Sequence, residues 1–548
     1  MPPAEGVGAD SPFTRRAPHP LEKRSARLAR GGGSGRVTHA SASDAQEEDP
    51  VTTLTQELAG WASGLRLDDV PDDVVATARL QILSQLAAVR AGMDHPLGRR
   101  FTEAFGAPLQ EDPARSAYVL AGLGSWLHFD DTAYAGHLSN STVTVPLAYA
   151  RRQRLTGEQL LTSIVAANET AARITASCTL GPFRGQSAAF THVTGAIAGR
   201  LRGEDAPARR WVDTLGLGLG LPPRTVPVGF LDGDAKLFGA STPVRIGLDA
   251  CDASAAGLAG SPVIVEHPEG FLSRFATVPL PEAVVAGLGT RWHTRTTSFK
   301  VHPGGPGMDS AIDVGLALHR ELSAPGRPLR AADIAEVGVD TSLYTAVVER
   351  RAARYLRGSV SPVSALVFSL RYTLATALLT GRLGTDDFTG KGLADDERWS
   401  LAERIEVSLD EAMTRELFRC EVPFGEALRQ AGPRGTEWLR QFGAAWRGDG
   451  DWLVDLVGEL PPPSRDFSDA RKVTGARVRV VLVDGRTVTR ELDVPMGAVG
   501  ARDRPRIADV VRAKWLAAGG GEEFADGVDR LEHASSDEVA QLVGRCLD

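Results

Sequence analysis

The spacing of apolar residues changes near residue 295 of this chain, and that change limits the folds open to it. From Val51 to about Gly260 apolar side chains recur every three or four positions, the repeat of helices with one buried face. In "LTGEQLLTSIVAANETAARI" Thr156 and Gln159 predict a capping box, and Leu160, Ile164, Ala167 and Ala171 then share a face. Small residues crowd "HVTGAIAGRL" and "RIGLDACDASAAGLAG", which predicts helices in close approach. After about Arg295 the repeat shortens to two. "IAEVGVD" (334–340) and "ERIEVSLD" (403–410) alternate as half-buried strands do. "ARVRVVLVDGRTVTRELDVP" (476–495) predicts a hairpin with Asp484 and Gly485 at its tip. Between these strands, "SPVSALVFSLRYTLATALLTG" predicts a helix with Phe368, Tyr372, Ala375 and Leu379 as its stripe and Gly381 ending it. From Arg506 to Asp548 the helical repeat returns. The fold class expected is therefore mostly α, a large helical domain joined to a smaller α+β domain.

The length of 548 residues exceeds what one ordinary core holds, in keeping with two domains. Residues 1–50 are rich in Arg, Gly, Ser, Ala and Pro without any period, and read as a disordered leader. Acidic residues within that stretch argue against an organelle transit peptide. A net charge of −8, with no long basic run beyond the leader, argues against nucleic acid as a partner. No apolar stretch is long enough to span a membrane. Cys178, Cys251, Cys420 and Cys546 are scattered with no C-x-x-C pair, which speaks against zinc, iron–sulfur or disulfide scaffolds and suits a reducing cytosol.

Lysine is scarce. Lys and Arg total 61, yet the six lysines are Lys23, Lys236, Lys300, Lys391, Lys472 and Lys514. A lysine kept between an Asp-Gly turn and an apolar pair, as in "LDGDAKLFGA" (231–240), needs a reason, because burying an ammonium is costly. A compact, charged donor for a substrate carboxylate is such a reason, where the planar fork of arginine would impose another geometry. Lys391 and Lys472, in polar loops, are expected to be solvated.

Six segments in order resemble the MmgE/PrpD family, which holds 2-methylcitrate dehydratases and cis-aconitate decarboxylases. "HFDDTAYAGHLS" (128–139) is similar to its D-F-D-D-T motif with a following His-Pro-Ser, and "ANETAARI" to its G-Y-E-x-x-x-R-I helix. "DGDAKLFGAS", "SPVIVEHPEGF", "SFKVHPGGPGMDSAIDVGLAL" and "FSLRYTLATALLTGRLGTDDF" resemble four further segments. The resemblance implies a helical domain over 51–295, an α+β lid over 296–500 and C-terminal helices over 501–548 that return to the first domain. An extra helical segment at about 415–465 is inserted in the lid. The resemblance also implies a homodimer, no cofactor, and a small carboxylate as substrate in a cleft between domain and lid; no metal is expected, because the adjacent carboxylates Asp130 and Asp131 have no third ligand at a suitable spacing in the sequence.

By the same resemblance Lys236 and Lys300 are active-site lysines that bind and stabilise a carboxylate substrate. Thr132 and one of Asp130 and Asp131 face the substrate while the other Asp holds structure, with Asp130 given a catalytic role and Asp131 a binding one. His137 corresponds to the catalytic histidine, able to take a proton α to a carboxylate. The chain departs from the family pattern in four places. His128 stands where the motif opens with Asp. Arg184, with Gln186 nearby, stands where a His-Pro-Thr is usual. His302 replaces a tyrosine, and Gly304, Gly305 and Asp309 replace cysteines and a histidine. Arg184, Gln186 and His302 are thus expected to bind substrate, His128 to share the acid/base work, and Asp309 only to cap the helix starting at Ser310. The reaction expected is dehydration of a β-hydroxy acid. Decarboxylation or epimerisation through the same carbanion, and non-catalytic carboxylate binding, are the alternatives.

Overall fold

A computed structural model describes residues 52–133, 136–182 and 186–547, the side chains of 186–188 excepted. The expected leader lies outside them. The first part is a stack of helices, of which five position the site: α1 (Asp72–Asp94), α2 (Pro113–Ser125), α3 (Gly157–Cys178), α4 (Gln186–Gly203) and α5 (Phe238–Ala255). Thr156 and Gln159 form the capping box that starts α3. α3 and α4 pack along their length, with α5 on α4 and α2 on α1. The small side chains explain the closeness: a Cβ on Gly247 of α5 would meet the Val193 carbonyl of α4 at 2.5 Å.

A two-stranded ribbon joins the halves. β1 (Asp131–Thr132) runs antiparallel to β2 (Ser298–Phe299), Asp131 opposite Phe299 and Thr132 opposite Ser298. The second half holds α6 (Asp309–Leu322), β3 (Ile334–Thr341), α7 (Leu370–Thr380), β4 (Ile405–Leu409), β5 (Ala476–Leu482) and β6 (Thr487–Leu492). Its sheet has the order β4-β3-β5-β6, parallel between β3 and β4 and antiparallel elsewhere. Gly485 takes a positive φ of 88° in the β5–β6 turn. α6 and α7 cover the buried face of the sheet, and Leu120, Leu123, Trp126 and Leu127 of the first half share that core.

The helix expected over 361–381 is broken. Val363–Leu366 forms one turn, Phe368 lies in the bend, and Ser369 caps α7 by accepting the Tyr372 N–H at 3.2 Å. The serine hydroxyl offers the backbone a start that the apolar stripe alone does not reveal. Gly381 ends α7 in the left-handed conformation.

Between β4 and β5 four short helices, Glu411–Arg419, Gly425–Ala431, Gly435–Arg447 and Asp451–Val457, enclose Phe418, Phe424, Trp438 and Phe442. Buried polar contacts help tie them to the first half. Trp438 Nε1 donates to the Gly181 carbonyl at 2.9 Å, and Glu426 pairs with Arg291, both buried. The C-terminal α8 (Ile507–Ala517) packs on α1, and Val511, Trp515, Phe524 and Val539 enter the core of the first half. No helix of the described residues is long and apolar enough to cross a membrane.

Candidate active site

Lysine placement defines the site. Of the six lysines, Lys236, Lys300, Lys472 and Lys514 are buried, between 2% and 5% exposed, and they surround one turn, Trp126 to Thr132. Lys391 is exposed, as expected. Lys472 is not: the expectation that it is solvated is wrong. A ladder of backbone bonds draws it in, because Phe299 donates to Gly497 O, the Ser298 hydroxyl accepts from Val499 N, and Lys472 N donates to Val499 O. The loop is polar in sequence, but it lies behind the β1–β2 ribbon.

Two of these lysines clamp the turn. Lys236 Nζ donates to the carbonyls of Ser125 (3.1 Å) and Trp126 at the end of α2, under the rings of Phe230 and Phe368. Lys514, from α8, donates to Ser84 Oγ (2.8 Å) and the Phe129 carbonyl. Lys300 follows β2 directly, and its own N–H bonds the Asp130 carbonyl at 3.1 Å. Glu169 and Arg173 of α3 fix the approach to β2. Glu169 accepts the N–H groups of His293 and Thr294, and Arg173 donates to the carbonyls of Ala286 and Arg291.

The turn carries the titratable groups. His128 is buried with φ at +48°, a left-handed conformation that costs a non-glycine residue energy, and neither ring nitrogen has a partner. Burial first, then the charges of Lys236, His137 and Lys300, hold its imidazole well below the usual histidine range, so it is neutral. His137 Nδ1 lies 2.8 Å from Asp130 Oδ2, which also accepts from Asn140 Nδ2 at 2.6 Å. A carboxylate only accepts, so the His137 proton sits on Nδ1 and Nε2 is left for chemistry. Burial opposes the Asp130 charge, yet His137 by charge and hydrogen bond holds its carboxyl below the ordinary value.

Alternation along the extended chain sends Asp130 and Thr132 one way and Asp131 the other. Asp131, expected to contact substrate, instead accepts from Leu138 N, Ser139 N, Ser139 Oγ and Gln81 Nε2, which fills its oxygens with protein donors. Burial, then the neighbouring Asp130 charge, push its carboxyl up. Asp309 is corrected in the opposite sense. It is the first residue of α6 and caps nothing; its Oδ1 accepts from Lys300 Nζ at 2.6 Å, with Lys472 Nζ 3.8 Å from Oδ2. Lys472 also donates to Thr132 Oγ1 at 3.0 Å. His302 Nε2 is committed to Asp313 at 3.0 Å. Arg184 and the side chain of Gln186 lie outside the described residues.

His128, Asp130 and His137 bring ligand-type atoms within 4.8 Å of one another, a spacing that suits a metal ion. Four lysines around the same turn argue instead for an anion. Burial lowers Lys236 and Lys514 to about 7 and Lys472 to about 8. Each is charged below its value and neutral above it, so anion affinity should fall as pH rises. Tricarballylate, an inert tricarboxylate, is expected by calorimetry to bind at least about tenfold more tightly at about pH 6 than at about pH 9.

The MmgE/PrpD N-terminal domain matches residues 56–282, and the MmgE/PrpD C-terminal domain matches residues 302–429. The chain belongs to the MmgE/PrpD family. That family includes dehydratases such as 2-methylcitrate dehydratase, and its members are typically lyases. A search of curated proteins found no match to this MmgE/PrpD chain. Lys472 and Lys514 lie past the last matched residue, as does much of the inserted helical segment. Sequence reading missed them, although the rarity that drew notice to Lys236 and Lys300 applied to them equally.

Proposed function

We propose that this protein is a cofactor-independent lyase that dehydrates a β-hydroxy carboxylic acid. The observation that carries the reading is the burial of four of six lysines around a His–Asp pair and an unpartnered histidine. Lys236 and Lys300 hold the substrate carboxylate and stabilise the enolate-like charge as it grows. His137 Nε2, oriented by Asp130, takes the α-proton; positioned acid/base groups of this kind contribute about 10²–10⁴-fold. His128, kept neutral, donates a hydrogen bond without adding positive charge. Thr132 supplies a hydroxyl beside the departing oxygen. The α+β part acts as a lid, and the enzyme works in the cytoplasm as a homodimer. Leu221, Val226, Val228 and Leu258, exposed on the first half, suit the dimer contact.

The test is incubation of the purified chain with citrate, 2-methylcitrate and 3-hydroxybutyrate in D2O. Formation of an unsaturated acid, with deuterium entering the α-carbon of unreacted substrate, is the expected result. Release of carbon dioxide or an epimer moves the assignment to decarboxylase or epimerase. Tight binding with neither exchange nor product leaves a carboxylate-binding protein.

A further inference from the structure

Lys472 and Asp309 keep bonding capacity that the reading above does not use. Asp309 Oδ1 is taken by Lys300, but Oδ2 is buried without a hydrogen-bond partner, 3.8 Å from Lys472 Nζ. An ammonium has three N–H donors, and Lys472 gives one to Thr132 Oγ1. A donor and an acceptor thus stand beside each other, too far apart to bond well and close enough for one oxygen to reach both. A hydroxyl fits, since it donates to the carboxylate and accepts from the ammonium. A substrate carboxylate does not fit between these two atoms, because it only accepts and has no proton to give Asp309 Oδ2. With Thr132 Oγ1 already accepting, its own proton is free to point at the substrate.

We infer that Lys472 Nζ and Asp309 Oδ2 together receive the hydroxyl lost from the substrate and that Lys472 is the catalytic acid that protonates it. The inference rests on the elimination reading above. In the step, His137 Nε2 takes the α-proton and the C–H electron pair becomes the C=C bond. The C–O pair leaves with oxygen, and an N–H proton of Lys472 completes a water molecule, leaving a neutral amine. His137 returns its proton to solvent and Lys472 regains one from it, so atoms and charge balance. The groups that face Lys472 are Asp309, Lys300, Asp130 and Thr132. Burial lowers its ammonium to about 8, with Lys300 lowering it further and Asp309 and Asp130 opposing, which suits an acid working near neutrality.

Leaving-group exchange tests this with two probes, citrate and 3-fluoro-3-deoxycitrate, because fluoride departs as an anion without a proton. Lys472→Met should lose about 100-fold or more in kcat on citrate and at least about tenfold less than that on the fluoro acid, the weaker binding that follows from the lost charge being shared by both probes. Lys472→Arg keeps the charge and the fold but cannot release a proton, and should show the same split. His137→Asn should lose both reactions. Equal losses on the two probes, or none, in variants that melt like wild type overturn the role of Lys472 while elimination stands. A wild type inert to both probes, with no α-exchange, overturns the elimination reading and the role of Lys472 with it.

Discussion

His137→Asn is expected to lower turnover of a hydroxy acid by about 10²–10⁴-fold and to abolish α-deuterium exchange. The expectation follows from one contact. His137 Nδ1 is tied to Asp130, so Nε2 alone faces the reaction, and asparagine offers no basic nitrogen there. Folding should change little, because Asp130 keeps its bond from Asn140. Asp130→Asn gives a companion result. The imidazole would keep its place but lose the acceptor that sets its tautomer, so kcat should fall more than KM changes. Full activity in His137→Asn, measured by product absorbance, would move the base to another residue.

Lys300→Met is expected to destabilise the protein by about 3–5 kcal/mol, because it strands a buried carboxylate. Asp309 is 3% exposed, and without Lys300 its nearest cation is Lys472 at 3.8 Å. The double variant Lys300→Met with Asp309→Asn should recover much of that stability and none of the activity, which separates the structural from the chemical share of the lysine. The pH dependence has a definite sign. Burial works against the Asp309 charge, but Lys300 and then Lys472 hold its carboxyl below the ordinary value. The unfolded chain therefore binds the proton more readily, and the contribution is complete above about pH 4 and fades as pH falls through the folded value. Urea titrations at stepped pH should show that acid-side loss in the wild type and much less of it in the double variant.

The change of hydrophobic repeat near residue 295 anticipated the helical and α+β parts because it reports burial directly, and the capping box at Thr156 and the turn at Gly485 are set by local chemistry. The site was legible only where a residue was rare or stood in a motif, as Lys236 and Lys300 do. Lys472 was misread because its neighbours Arg471 and Asp469 are polar, while its burial comes from Ser298 and Val499, remote in sequence. Lys514 carried a fainter mark: it lies three residues after Val511, on the face that α8 buries. Asp309 sits at a helix start, where an acidic side chain ordinarily caps, and only the position of Lys300 shows that it does not. Asp131 could not be told from Asp130 until the strand direction was known.

The central claim is that the buried lysines hold a carboxylate beside His137, and a crystal structure with tricarballylate bound tests it most directly. Carboxylate oxygens within hydrogen-bond distance of Lys236 Nζ and Lys300 Nζ, with a methylene carbon against His137 Nε2, are the predicted result. An anion bound away from the turn that carries His128, with those two lysines untouched, would contradict it.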